Sequence, residues 1–159
     1  MLKYDFLVIG SGIAGLSYAL KVAQKLPDAK IAIVTKSDEN ESNTKYAQGG
    51  IAVVLDQIKD SYESHIKDTL KAGDGLCNEA VVRVVVTEGP DRFDELVQWG
   101  VDFDKKNAGE YDFGLEGGHS KNRILHHKDI TGAEIEKRLL RQVHMLSNVK
   151  LFSQYFAVD

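Results

Sequence analysis

Apolar residues run almost unbroken from Tyr4 to Ile9, with Asp5 near the start, and stop at Gly10. A run this short, bounded by glycine, predicts a buried strand. The spacing then changes. From Ile13 to about Leu26, the positions Leu16, Ala19, Leu20, Ala23 and Leu26 keep helical period, and Pro27-Asp28 ends that helix. Lys30 to Thr35 reads as a second strand. Strand, turn, helix and strand in this order predict the first half of a doubly wound α/β nucleotide-binding domain.

The middle of the chain follows another rhythm. "SDENESNTKYAQGG" is polar and then glycine-rich, which predicts a long loop, and "IAVVL" after it predicts a short strand. Asp60 or Ser61 is placed to cap a helix running to Ala72, with Gly73 as its stop. Asn78 is placed to cap a helix over residues 79–88. Pro90 suits the first turn of a further helix ending near Trp99. The stretch "DKKNAGEYDFGLEGGHSKNRILHHKD" keeps no period and carries four glycines. Thr131 is placed to cap a helix from about Gly132 to Met145, and "VKLFSQYFAVD" reads as a last strand. The helices between Asp60 and Trp99 carry apolar faces with no evident partner among these strands. The strand count is too low to finish a doubly wound sheet. The expectation is an incomplete Rossmann-like, three-layer α/β domain with a helical insertion, occupying 1–159 as the N-terminal portion of a larger protein.

Composition narrows the class. The chain has 159 residues, 43% of them apolar and 28% charged, which suits a globular domain with a core. A net charge of -4 without a dense basic run argues against nucleic acid. No stretch is apolar for long enough to be a signal h-region or a membrane span. Cys77 is the one cysteine, which favours a reducing compartment. A cytoplasmic protein is expected.

Candidate chemistry starts in "VIGSGIAGL". Gly10 permits the tight turn out of the strand, Gly12 leaves room for a pyrophosphate, and Gly15 lets the helix pack close to the sheet. Amides near Ile13 and Ala14 are then expected to point at phosphate, helped by the helix N-terminus. An acidic residue usually ends the next strand, where it holds a ribose. Here Thr35 and Lys36 stand instead. Lys36 fits NADP, whose 2′-phosphate wants a cation, or the adenosine part of FAD, or a solvated surface position. In "SNTKYAQGG", Gly49 and Gly50 suit backbone running flat against a ring system, with amides offered to a flavin. The same pair also suits a hairpin-like turn serving only the strand that follows. Asn43 and Thr44 offer short polar groups for phosphate or ribitol.

"NTKYAQGGIAVV" resembles the second flavin-binding loop of the superfamily of succinate dehydrogenases, fumarate reductases and L-aspartate oxidases. "LEGGHSKNRILHHKDITGAEIEKRLL", "DSYESHIKDTLKAGDGLCNEAVV" and "LVQWGVDFD" resemble further blocks of the same family, in the same order. The resemblance covers essentially the whole chain and implies FAD as cofactor. It implies cofactor-binding roles for Gly10, Ser11, Gly12, Ile13, Ala14 and Gly15 in the turn, and for Lys36. In the loop it implies the same for Asn43, Thr44, Lys45, Tyr46, Ala47, Gln48, Gly49 and Gly50. Phe156 and Ala157, expected on the last strand, match a position where backbone meets the adenine. Members that bind flavin covalently carry a histidine where this chain has Asn43, so the resemblance implies noncovalent FAD and favours the oxidase branch. Soluble fumarate reductases, which also lack that bond, stay open, as does a nucleotide-binding module without chemistry of its own.

The oxidase branch implies oxidation of L-aspartate to iminoaspartate, with reduced flavin reoxidised by oxygen or fumarate. It also implies a place early in NAD biosynthesis, with quinolinate synthase as the next enzyme. Aspartate carries an ammonium at the carbon to be oxidised, and a carboxylate near it is favourable. The resemblance places Glu116 at the substrate face of the flavin. His119 and Ser120 are further substrate-recognition candidates, with bracing of their loop as the alternative. Arg123 suits either a carboxylate clamp or a structural ion pair. His126 and His127, adjacent in sequence, are expected to point opposite ways. They have no metal-ligand spacing with Cys77. The acid/base arginine of the family lies in later segments, so no catalytic residue is expected within this chain.

Overall fold

In a computed structural model, residues 2–107 and 109–158 are described. The chain divides into two compact units: Met1–Gln48 with Gly132–Asp159, and Gly49–Thr131 between them.

The first unit holds a parallel sheet. Strand β1 (Phe6–Ile9) leads into helix α1 (Ile13–Lys25) and returns in strand β2 (Ile31–Val34). The expected strand-helix-strand unit is therefore present. Leu16, Ala19, Leu20 and Ala23 form the buried stripe of α1, as their spacing requires. In β1, Val8 is buried, but Leu7 and Ile9 are 64% and 68% exposed. The expectation of a buried strand holds for one face alone, since alternate residues point to opposite faces of the sheet; β1 is an edge of the three-stranded order β1-β2-β6. β2 is the centre and pairs in parallel with both neighbours.

The second unit begins with β3 (Ile51–Ala52), then α2 (Tyr62–Ala72) and α3 (Glu79–Gln98). Ser61 caps α2 by accepting the Ser64 amide at 3.1 Å, and Asn78 caps α3 through the Val81 amide. α2 and α3 pack on each other, which covers part of their apolar faces, while Val81, Val84 and Val85 of α3 stay more than half exposed. The sequence predicted two helices broken at Pro90, whereas α3 is continuous with Pro90 inside it. Val86 before the proline and Phe93 and Leu96 after it are all buried on one stripe. That shared burial outweighs the one backbone bond a proline removes. Gly89 helps, since a residue without Cβ relieves the crowding that a proline imposes on its predecessor.

The aperiodic stretch contains two short strands that the sequence did not predict, β4 (Phe113–Gly114) and β5 (Ile124–Leu125). With β3 they form an antiparallel sheet of order β3-β5-β4. Two-residue strands are too short for any period to show. Phe93 packs against Phe103 and Tyr111, with ring centroids 5.2 and 5.1 Å apart. Trp99 and Val101 are core residues.

Helix α4 (Thr131–His144) and strand β6 (Val149–Phe152) complete the order. The Thr131 hydroxyl accepts the His127 amide at 3.1 Å, so it ties down the preceding turn rather than capping its own helix. The last strand ends at Phe152. Phe156 and Ala157 lie beyond it in irregular backbone, correcting their expected place on the strand. Among the described residues no helix is long and apolar enough to cross a membrane.

Candidate functional site

Gly10 has φ +102°, a conformation that L side chains rarely adopt. A Cβ on Gly15 would lie 2.1 Å from the Gly10 carbonyl oxygen. These two glycines make the turn and the tight seating of α1 against it, as the sequence predicted. The amide of Ile13, expected to face phosphate, instead donates to Thr44 Oγ1 at 3.1 Å. Thr44 therefore ties the second polar loop directly to the start of α1. Its own hydroxyl proton remains to be donated.

A cleft of about 490 Å³ opens beside this junction. It is lined by Gly10, Ser11 and Gly12 of the turn, by Thr35 and Lys36 after β2, by Ser42, Asn43 and Tyr46 of the loop, and by Tyr155, Phe156 and Ala157. Four segments of the chain thus meet on one surface. Thr35 is buried and receives the Ser11 hydroxyl at 3.2 Å. Lys36 is exposed at the mouth. Of the other expected cofactor residues, Ile13, Ala14, Gly15, Thr44, Ala47 and Gln48 stand behind or beside this cleft rather than on its lining. Lys45 is not on the lining but pairs with Glu41, which is, at 3.2 Å. The Tyr46 phenol also donates to Glu41, at 2.5 Å. These two bonds, the tyrosine first, hold the Glu41 carboxyl below its ordinary range.

In the second unit, Glu116 reaches the Gly49-Gly50 turn, where its Oε1 accepts the Gly50 amide at 3.4 Å. A Cβ on Gly50 would meet the Leu125 carbonyl oxygen at 2.3 Å, so this glycine is required by the strand beside it. Gly49 and Gly50 do not form a hairpin, since β3 pairs with the distant β5.

Arg123 is 1% exposed and sits in a closed polar network. Its guanidinium donates to Asp60 twice, at 2.6 and 2.9 Å, and to Asp68 at 2.6 Å. The structural pair, not the substrate clamp, is its arrangement here. Burial works against ionisation of Asp68. The Ser120 amide and the Arg123 guanidinium outweigh it and hold the carboxyl far below the usual range. Asp60 is likewise lowered, burial again being overcome by Arg123. Ser120 donates its amide and hydroxyl to Asp68, at 2.8 and 2.7 Å, so it braces the loop. His119 Nδ1 lies 3.2 Å from an Arg123 nitrogen. A guanidinium can only donate, so Nδ1 accepts and the neutral ring carries its proton on Nε2. His119 and Ser120 line a small cleft with Asp68 and Lys71.

His126 and His127 do not diverge. Their Nδ1 atoms lie 3.1 and 3.8 Å from the two oxygens of Asp104. The turn at Lys128, with φ +48°, brings both rings to one carboxylate. No group of three potential metal ligands occurs among the described residues.

Sequence reasoning missed Glu136. It is 2% exposed, accepts the Ser42 hydroxyl, and burial pushes its carboxyl above the ordinary range. A signal was available: Glu136 stands one turn before Leu139 and Leu140, on the apolar stripe of α4, where a charge is out of pattern.

A family model described as FAD binding domain matches residues 5–159. The chain belongs to this FAD-binding domain family. Its cofactor is FAD, and the cleft with its paired turn and loop fits such a ligand. This FAD-binding chain is 51% identical over 156 residues to an L-aspartate oxidase of Oryza sativa subsp. japonica, covering 98% of the chain and 24% of that protein. It is 43% identical to an L-aspartate oxidase of Pseudomonas aeruginosa, over 99% of the chain and 30% of that protein. Among solved structures it resembles the E. coli quinol fumarate reductase FrdA, with TM-score 0.90, 31% identity, and coverage of 96% and 26%. The Mycobacterium smegmatis Sdh1 complex resembles it with TM-score 0.85 and 32% identity, over 95% of the chain and 27% of that one. The chain thus spans about a quarter of the length of such curated relatives.

Proposed function

We propose that this chain is the FAD-binding portion of an enzyme that oxidises L-aspartate to iminoaspartate. The observation that carries the reading is the junction of the glycine turn with the Asn43–Gln48 loop, fixed by the Ile13–Thr44 bond beside a single cleft. The identity to L-aspartate oxidases over nearly the whole chain supports the substrate. FAD, when bound, supplies a hydride acceptor at N5 and is reoxidised by oxygen or fumarate.

The residues divide the work by position. Gly10, Ser11 and Gly12 receive the pyrophosphate, with Thr44 as a hydroxyl donor. Lys36, Phe156 and Ala157 contact the adenosine end. Asn43, Tyr46 and Gly49 run toward the flavin, and Asn43 leaves the cofactor noncovalent, having no imidazole to form the bond. Glu116 reads the substrate ammonium. His119 offers its Nε2 proton to a substrate carboxylate, and Ser120 holds it in place. The acid/base group and the remaining carboxylate ligands belong to the further length that the relatives carry, which also holds the rest of the FAD domain, a substrate-capping domain and a helical domain. On this reading quinolinate synthase consumes the product, in the cytoplasm.

A second reading, a soluble fumarate reductase, draws on the structural likeness to FrdA. One experiment separates them. Full-length protein reconstituted with FAD is mixed with L-aspartate under argon and its flavin absorbance followed. Rapid bleaching by aspartate supports the oxidase. Bleaching only by an external reductant, with oxidation by fumarate, supports the reductase. Failure to retain flavin would defeat both.

A further inference from the structure

Glu136 has no place in the function argued so far, yet it is 2% exposed on the apolar stripe of α4. A buried carboxyl is costly unless it is bonded. Its partner is informative: Glu136 Oε1 accepts the Ser42 hydroxyl. Ser42 Oγ accepts the Thr44 amide at 3.1 Å. Thr44 Oγ1 accepts the Ile13 amide at 3.1 Å. These bonds form one line from α4 to the first residue of α1. Gly12 lies along it, where a Cβ would stand 3.4 Å from Thr44 Oγ1 and 3.6 Å from Ser42 Oγ.

The line fixes the direction of each proton. Ser42 Oγ receives the Thr44 amide, and its own proton goes to Glu136. Thr44 Oγ1 receives the Ile13 amide, so its proton is left to be given away beside Gly12. Remove the acceptor at position 136 and the Ser42 hydroxyl rotates freely. The Thr44 backbone then loses a fixed anchor. We propose that Glu136 is a positioning residue for FAD: through Ser42 it holds Thr44 as a preset hydroxyl donor at the pyrophosphate turn. The proposal rests on the FAD-binding reading and adds the group that sets its phosphate site.

The test is a mutant cycle in the full-length protein, with FAD affinity measured by flavin fluorescence on titrating apoprotein. Glu136→Ala and Ser42→Ala should each raise the FAD Kd about tenfold, the scale of one well-placed bond to a charged group. The double variant should be no weaker than either alone, because both cut the same line. Glu136→Gln keeps a carbonyl to accept from Ser42 and should stay within about threefold of wild type. The 31P resonances of bound FAD should move in both alanine variants and return in Glu136→Gln, a readout that a purely structural role would leave alone. Wild-type affinity in Ser42→Ala, or losses that multiply in the double variant, would overturn the proposal. Should Glu136→Ala fail to fold, Ser42→Ala and Glu136→Gln still decide it. A wild-type protein without FAD affinity would strike the cofactor reading itself, which separates the two failures.

Discussion

Arg123 grips Asp60 through a two-pronged contact, Nε to Oδ2 at 2.6 Å and Nη2 to Oδ1 at 2.9 Å. The planar fork matches the carboxylate, and the remaining nitrogen serves Asp68. Arg123→Ala leaves two acids facing each other with no cation between them. Loss of one partner from a buried pair costs about 3–5 kcal/mol. Urea denaturation of the variant should show a loss of this size, and Arg123→Lys should recover only part of it.

The same network sets an acid limit. Asp60 and Asp68 have lowered pKa values, so their stability is present above the unfolded carboxylate pKa, about 4, and lost as pH falls toward the folded values. His65 is also lowered, by burial first and then by Arg123. Its neutral form is favoured in the fold, so its contribution is present above about pH 6.5 and lost below. Glu136 acts in the other direction: its raised pKa makes ionisation cost stability as pH climbs through the carboxylate range. Urea midpoints should therefore drop as pH falls from 7 toward 2. His65→Phe should flatten the upper part of that drop, and Asp68→Asn the lower part.

Two glycines should fail in different ways. A Cβ on Gly15 collides with the Gly10 carbonyl and displaces the phosphate turn, whereas one on Gly50 collides with the Leu125 carbonyl between strands. Gly15→Ala is expected to weaken FAD binding most. Gly50→Ala is expected to cost about 1–3 kcal/mol of stability. Parallel FAD titration and thermal unfolding of both variants would show the contrast, and identical profiles would contradict it.

Glu116 lies against the Gly50 amide, next to the turn assigned to the flavin. If it reads the ammonium, Glu116→Gln should raise the aspartate KM at least tenfold, the scale of a lost charge-assisted bond. Fumarate, which has no ammonium, should be reduced nearly as before. Steady-state kinetics with both substrates check this, and equal losses would remove the assignment.

The parts legible in sequence are those where one residue's neighbours along the chain decide its state. The α1 stripe, the Ser61 and Asn78 caps and the glycine turn are of this kind, because period, capping and backbone strain act over a few residues. Pro90 misled the reading. Its local cost is real, but burial of Val86, Phe93 and Leu96 on one stripe is a tertiary gain that local spacing does not weigh. The two-residue strands β4 and β5 escaped for a related reason: their pairing partners lie elsewhere in the chain.

By itself, then, the sequence determined the βαβ start, the glycine turn and the family, since each is written in a contiguous run. It could not decide the ends of the polar contacts. Whether Ile13 faces phosphate or Thr44, whether Arg123 clamps a substrate or Asp60, and what Glu136 is for all depend on which groups folding brings within about 3 Å, where a hydrogen bond exists at all. Such bonds join residues 31, 63 and 94 positions apart, and only the assembled chain sets those distances.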